Sequence, residues 1–364
     1  MSQERRERRR RRRDRRRERR RIRTNPHVNR ILRTLTRILL TAIFNVRTHG
    51  LEKVHRQRGA MLVVGNHSAV LDPFLVGMFF NRPIHFVASD SQFRSRFISF
   101  IFGLVGVIPK TKVIADLDTV KKIVAVKQNG GAIGLFPEGQ NGWDGHSLPI
   151  IKATDKLVKS LKVPVFIAQI RGAYFSWPRW ARSFRRGEIT VNFKKIFDPE
   201  DLRALTVEEV GRRVETELKF DSFEYQREAK IPFRGARRAE YLERALFICP
   251  TCRSVGTLRS HGQRFTCTRC GYSVRLNAYG FFEPRQGALH FETIREWNVW
   301  QIEAFYRYID RIRSEYQSAR SSSTENPSAV LVEDTVTLQE GYKTQPLTPI
   351  GTGPLQLFPD RVVF

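Results

Sequence analysis

His67 and Asp72 stand five residues apart, directly after the apolar run Met61-Leu62-Val63-Val64 and the breaker Gly65-Asn66. A carboxylate bonded to one imidazole nitrogen fixes the tautomer and leaves the other nitrogen free to take a proton. That is a general base with its orienting group and without an enzyme nucleophile, which suits a reaction whose nucleophile is a hydroxyl on the substrate. Downstream, Glu138 lies in Phe136-Pro137-Glu138-Gly139, and a carboxylate presented from such a turn can bind a substrate hydroxyl, pair with a basic side chain or face solvent. Between the two, Lys110 and Lys112 close the segment Gly106-Val107-Ile108-Pro109-Lys110-Thr111-Lys112, where they can hold a phosphate or be solvated. A separate chemistry is written in Cys249, Cys252, Cys267 and Cys270, two CxxC pairs with fourteen residues between them. Two knuckles at that separation supply four thiolates for tetrahedral zinc with no open coordination position, a structural rather than a catalytic site; a redox pair is the alternative.

These residues need a scaffold that brings distant segments together. The apolar run 61–64 reads as a buried strand and 73–80 as a helix, with Pro73 tolerated near its start, so His67 sits where a strand hands over to a helix. The same alternation continues. Strands are expected at 84–88, 106–108, 131–136, 163–170 and 189–193, and helices at 94–104, 116–128, 151–161 and 207–220. Alternation of this kind predicts an α/β domain with a mixed, largely parallel sheet covered by helices, with functional residues at strand ends and in loops. The cysteine pairs, flanked by ribbon strands at 255–259 and 263–266, predict a small zinc-ribbon module, followed by a long helix and a short β-rich tail.

Composition bounds the partners. The chain of 364 residues carries a formal charge of +28, and its first 23 residues hold fifteen arginines against four acids. Such a tract has nothing to bury and is expected to be disordered. It would suit an anionic phospholipid surface, at roughly 1 kcal/mol per basic residue, with RNA as the rival partner. Residues 28–46 place Ile31, Leu32, Leu35, Ile38, Leu39, Ala42 and Ile43 on one helical face bordered by Arg30, Arg33 and Arg37, so this helix either lies on a membrane or packs on the core. No run of about 18 apolar residues is present, so no transmembrane helix is expected, and no signal peptide is convincing. Metal-ligating rather than paired cysteines point to a reducing compartment. Arg253, Arg259, Arg264 and Arg269 around the ribbon keep nucleic-acid binding as a competing reading.

Taken together, Asn66-His67-x4-Asp72, then Gly106 to Lys112, then Phe136-Pro137-Glu138-Gly139, then Val163-Pro164-Val165 resemble the four ordered blocks of the glycerolipid acyltransferases, the lysophosphatidate (1-acylglycerol-3-phosphate) acyltransferase family, over about residues 45–200. The resemblance implies transfer of a fatty acyl group from a thioester, acyl-CoA or acyl-carrier protein, to the free hydroxyl of a lysophospholipid acceptor, giving phosphatidate in phospholipid biosynthesis. It implies that His67 deprotonates that hydroxyl, that Asp72 orients His67, that Lys110 with Lys112 binds the acceptor phosphate, and that Glu138 and Gly139 shape the acceptor pocket. It also implies a peripheral or monotopic place on the cytoplasmic face of the cell membrane. Two departures bear on the acceptor. The second block has lysine where the family usually has arginine, which loses a bidentate fork. The third block continues Gln140-Asn141 where the family usually has Thr-Arg. Another lysolipid or glycerol-3-phosphate therefore stays open as acceptor. The expected organisation is an Arg-rich arm over 1–24, an amphipathic membrane helix over 25–49, the acyltransferase domain over 50–225, the zinc ribbon over 246–283, a helix over 289–317, a linker over 318–328 and a β-rich tail over 329–364.

Overall fold

A computed structural model describes residues 24–111, 117–322 and 329–364. The greater part of the Arg-rich arm, Lys112 and most of the linker lie outside the described residues. The chain divides into two compact units, the first ending at Gly235 and the second starting at Ala236.

Seven strands make the sheet of the first unit: β1 (Asn45–His49), β2 (Met61–Gly65), β3 (Ile84–Ser89), β4 (Ile108–Lys110), β5 (Ala132–Leu135), β6 (Val165–Arg171) and β7 (Glu188–Phe197). Their order is β1-β7-β6-β2-β5-β3-β4. Every neighbouring pair is parallel except β6 with β7, so the sheet is mixed and largely parallel. β2 lies inside the sheet and is buried on both faces, which is why its sequence is a continuous apolar run rather than an alternation. Met61 and Val63 enter one apolar layer with Leu40, Val54, Leu75 and Val76 from the helices Pro26–Ile43, Leu51–Arg56 and Asp72–Gly77. Leu62 and Val64 enter the opposite layer with Ile123, Val158 and Val210 from the helices Leu117–Gln128, Ala153–Leu161 and Val207–Leu218. The unit runs on to Gly235 because Phe233 is buried there, its ring 5.3 Å from that of Phe175.

The helix Pro26–Ile43 turns Asn29 and Leu40 inward, with Arg33 half-buried beside them. Arg33 donates to the carbonyls of Phe80 and Arg82, and Arg37 lies over the Phe79 ring. Ile31, Leu35, Ile38 and Leu39 are left exposed, Ile38 to 61%. The helix Arg96–Val105 repeats the arrangement: Phe97 and Phe100 are exposed, Phe97 to 74%, and none of its residues is buried. Asn25 N–H donates to the Leu104 carbonyl at 3.1 Å, tying the start of the first helix to the end of the second. No helix among the described residues is long and apolar enough to cross a membrane.

The second unit opens on a four-stranded antiparallel sheet, β8 (Leu258–His261), β9 (Arg264–Cys267), β10 (Ser273–Leu276) and β11 (Phe282–Gln286), in the order β11-β10-β9-β8. One face packs on Trp297 of the helix Ile294–Ser322, whose indole lies 5.5 Å from the rings of both Phe265 and Phe282. Gln301 of the same helix is buried. Its carbonyl oxygen accepts from the Phe247 amide and its amide group donates to the Ala245 carbonyl, which fixes the chain entering the first cysteine pair. The tail forms β12 (Leu331–Glu340), β13 (Thr348–Leu357) and β14 (Val362–Val363), an antiparallel sheet joined to the long helix through Tyr316, whose hydroxyl donates to Asp360.

Candidate functional site

The carboxyl ends of β2, β5, β3 and β4 point to one edge of the sheet, where ligands of open α/β folds bind. His67 follows β2 at that edge. Its Nδ1 lies 2.9 Å from Asp72 Oδ2, and the carboxylate favours the tautomer with the proton on Nδ1, in which Nε2 can accept one. Asp72 is fully buried at the first turn of the helix Asp72–Gly77, and the same Oδ2 accepts the amides of Ser68 at 2.7 Å and Ala69 at 2.8 Å. Burial pushes its carboxyl above the ordinary carboxylate range, against the pull of the His67 hydrogen bond and the two amides. The five-residue spacing works because residues 67–71 bend back over the helix start, so one oxygen serves both the imidazole and the turn.

Three further side chains fix His67 and its backbone. Asn66 turns its side-chain amide to β6, accepting from the Ile170 N–H at 2.7 Å and donating to the Ile170 carbonyl at 3.0 Å, so the strand pairing continues through a side chain as the backbone leaves the sheet. Phe136 at the end of β5 stacks on the imidazole at 4.8 Å. Gly65 makes room for it, since a Cβ there would stand 2.7 Å from the Phe136 ring. Glu138 Oε1 accepts the His67 amide at 2.9 Å and Oε2 accepts the Leu148 amide at 2.8 Å. Both oxygens of this carboxylate thus hold backbone, and it is buried instead of facing solvent. Burial pushes Glu138 up to about 7, against those two amides. The turn that carries it closes with Gly139 N–H donating to the Phe136 carbonyl, Pro137 in its second position. Gly139 has φ +71°, a region that favours glycine, and a Cβ there would meet Ile151 at 2.9 Å.

Lys110 ends β4 at the same edge, three strand spacings from β2, or about 14 Å. A cation that the sequence did not single out lies nearer. Arg179 stacks on Trp143 at 4.5 Å and donates through Nη1 to the Asn141 carbonyl at 3.1 Å and, at 3.4 Å, to Gln140 Oε1. The next amide, Gly142 N–H, donates to the His67 carbonyl at 3.4 Å, so the Arg179 guanidinium lies within about 9 Å of the His67 backbone. No spacing rule could have found it, because its partners lie 38 and 39 residues away. Asn66 and Phe136 were visible inside the motif blocks, but their roles depend on which strand stands beside which.

In the second unit the four cysteine sulfurs lie within 4.8 Å of one another. Cys249 Sγ to Cys270 Sγ and Cys252 Sγ to Cys267 Sγ are each 3.7 Å. Four thiolates about 2.3 Å from one metal ion stand about 3.8 Å apart at the corners of a tetrahedron, so the donor set fits zinc, and all four cysteines are free of disulfides. Ser254 Oγ lies 2.9 Å from Cys252 Sγ and Thr257 Oγ1 3.3 Å from Cys267 Sγ, which gives two of the ligands hydroxyl support.

Residues 45–170 match the family model described as Acyltransferase. The 1-acyl-sn-glycerol-3-phosphate acyltransferase of Borreliella burgdorferi is 26% identical over 103 residues, 28% of this chain and 41% of the relative. That of Saccharomyces cerevisiae is 24% identical over 163 residues, 43% of this chain and 54% of the relative. The chain thus spans about half the length of the curated relatives it matches. The crystal structure of the 1-acyl-sn-glycerophosphate (LPA) acyltransferase PlsC from Thermotoga maritima aligns with a TM-score of 0.46 at 21% identity, over 52% of this chain and 76% of that one. The His67–Asp72 pair at the end of β2 and the Glu138 turn at the end of β5 both lie inside the segment 45–170 that matches the Acyltransferase model, so over that segment the chain is similar to the lysophosphatidate acyltransferases.

Proposed function

We propose that the protein transfers a fatty acyl group from acyl-CoA or acyl-carrier protein to the free hydroxyl of lysophosphatidate, giving phosphatidate at a membrane surface. The observation that carries the reading is the His67–Asp72 hydrogen bond, which favours Nε2 as acceptor within a segment that matches the Acyltransferase model. His67 Nε2 takes the proton of the acceptor hydroxyl as its oxygen attacks the thioester carbonyl. The carbon–sulfur bond breaks, the ester forms, and the imidazolium returns its proton to the departing thiolate. Asp72 stabilises the imidazolium and fixes its tautomer. Lys110, with Lys112, and Arg179 offer cations to the acceptor phosphate, Arg179 reaching from beyond β6 to the loop that in this chain lacks a basic residue after Glu138-Gly139. Glu138 and Gly139 shape the pocket from behind, by holding the His67 backbone and closing the turn.

The outward apolar faces of Pro26–Ile43 and Arg96–Val105, with exposed Val70 and Phe74 beside His67, support binding to a lipid surface with the site open toward it. A peripheral or monotopic position on the cytoplasmic face of the cell membrane, with the Arg-rich arm on anionic lipid, completes this reading. The four-cysteine cluster holds a structural zinc.

Acyl transfer by the purified protein tests the proposal, with labelled acyl-CoA or acyl-carrier protein offered against lysophosphatidate, other lysophospholipids and glycerol-3-phosphate. Phosphatidate formed by the wild type and lost in His67→Ala is the expected result. Product only with another acceptor would move the substrate, and product in His67→Ala at the wild-type rate would remove His67 from the mechanism.

A further inference from the structure

The ribbon sheet has one face on Trp297 and one face open, and the open face is cationic. Alternation along the strands sends Leu258, Phe265, Val274 and Phe282 inward and leaves Arg259, His261, Arg264, Arg275, Glu283 and Arg285 on the other side. The register sets the basic side chains in a row: Arg264 is paired directly with His261 on β8 and with Arg275 on β10. Like charges placed opposite one another across strands are destabilising. Glu283, at the end of the row, is the acid of this face; it lies 3.8 Å from Arg275 and shares its carboxylate with Asn277. Arg275 is further held by Gln263, to which its Nε donates at 3.1 Å. Among the described residues, Arg264 and Arg285 have no hydrogen bond or ion pair to their guanidinium groups. The positive field also reaches inward, where burial and then Arg275 lower the pKa of buried Arg238.

A cavity of about 400 Å³ is lined by His261, Gln263, Arg264, Arg275 and Arg285, together with Ala236 and Gly262. Its lining offers N–H donors in excess, with Gln263 the one side chain that also brings a carbonyl. No Phe, Tyr or Trp faces outward from the four strands, so the face has no platform on which bases could stack.

We propose that this cavity is a binding site for a phosphate group, engaged by Arg264, Arg275 and Arg285, and separate from the acyl-transfer site. The shared chemistry is a phosphate mono- or diester. Its source is either a free phosphorylated solute or the headgroup of an anionic lipid.

The test uses the full zinc-loaded chain and the double variant Arg264→Gln/Arg275→Gln, so that anion binding by the Arg-rich N-terminus and by the acyl-transfer site is common to both proteins. Three probes are titrated at physiological salt: pyrophosphate, phosphatidylcholine vesicles with and without phosphatidate, and a single-stranded oligonucleotide. Loss of two charge-assisted contacts should weaken binding at least about tenfold. Weakened pyrophosphate binding in the double variant supports a free phosphorylated ligand, and weakening confined to phosphatidate vesicles supports a lipid headgroup. Weakening for the oligonucleotide alone would overturn the proposal in favour of a nucleic-acid surface, and no difference with any probe would overturn it outright. Stability gives a second readout. In the single variant Arg264→Gln, which removes the opposed charge that has no partner, the unfolding temperature should be equal or higher, whereas a fall, with zinc content unchanged, would mean that Arg264 serves the fold and would also overturn the proposal.

Discussion

The His67 amide donates to Glu138 Oε1 at 2.9 Å, a contact across 71 residues of sequence. The other oxygen of the same carboxylate takes the Leu148 amide. One buried side chain therefore fixes the backbone of the candidate base relative to the loop that follows β5. The imidazole itself is gripped from two other directions, by Asp72 at Nδ1 and by the face of Phe136.

That arrangement has a pH signature. Glu138 ionises near 4.5 when exposed and near 7 in the folded protein, because burial penalises the charged form. Between those values the folded state holds the proton more tightly. The stabilising contribution is therefore full below about pH 4.5 and lost as pH rises through about 7, a change on the order of 3 kcal/mol. The raised carboxyl of Asp72 acts in the same direction. Urea unfolding of wild type and Glu138→Gln compared over this interval checks it: the wild type should lose midpoint relative to the variant as pH rises. Glu138→Gln should also lower acyl transfer, since its amide nitrogen would face one of the two N–H groups.

Asp72 separates charge from shape. In Asp72→Asn the carbonyl oxygen can keep the three donors, with the new amide nitrogen where Oδ1 now lies buried without a partner among the described residues. Stability should change little and the acyl-transfer rate should fall about 10²- to 10⁴-fold. Asp72→Ala leaves three donors unpaired and should cost about 3 kcal/mol as well. Chemical denaturation beside the assay distinguishes the two; full activity in Asp72→Asn would reduce Asp72 to a turn-former.

Arg179→Ala should raise KM for a phosphate-bearing acceptor about tenfold with a smaller change in kcat, because the guanidinium binds the ground state as well as the transition state. Arg179→Lys should not restore it, since the planar stack on Trp143 and the fork are both lost. Equal KM in all three proteins would leave Arg179 a loop strut.

Ile38→Asp and Phe97→Asp replace exposed apolar side chains on two helices and should leave the fold intact. Each removes about 1.5–3 kcal/mol of burial in lipid, so vesicle flotation should fall about tenfold or more per substitution. Unchanged flotation would assign these faces to another partner.

One zinc per chain is expected by elemental analysis, absent in Cys252→Ser. A chelator should unfold the ribbon and expose Trp297, now buried against Phe265 and Phe282, which a red shift of its emission would report. Ribbon signals that survive complete metal removal would count against zinc as the organising element.

Much of the scaffold is legible in local chemistry. A four-residue apolar run bounded by Gly65 reads as a strand buried on both faces, and Met61–Gly65 is one. The CxxC pairs read as a four-sulfur cluster because each knuckle is a local turn, and the sulfurs do converge. The ribbon strands are less legible. Those expected at 255–259 and 263–266 are found at Leu258–His261 and Arg264–Cys267, and β10 and β11 have no counterpart in the expected elements, because strands of four or five residues carry too few alternations to register.

The sequence by itself singled out His67, Asp72, Glu138 and the cysteines as candidates, since residue type and short spacing reflect covalent geometry that holds in any fold. It also determined that Pro26–Ile43 has an apolar side, because a period of 3.6 is a property of the helix alone. Only the tertiary structure decided which way that side faces, and it set Arg33 against the Phe80 and Arg82 carbonyls and left Ile31, Leu35 and Ile38 outward. Only the order β6-β2-β5 turned Glu138 toward the His67 amide and slid Phe136 beneath the imidazole, and only the loop beyond β6 brought Arg179 onto Trp143. Contacts of that kind are set by strand order and by the packing of side chains far apart in the chain, which no local pattern encodes.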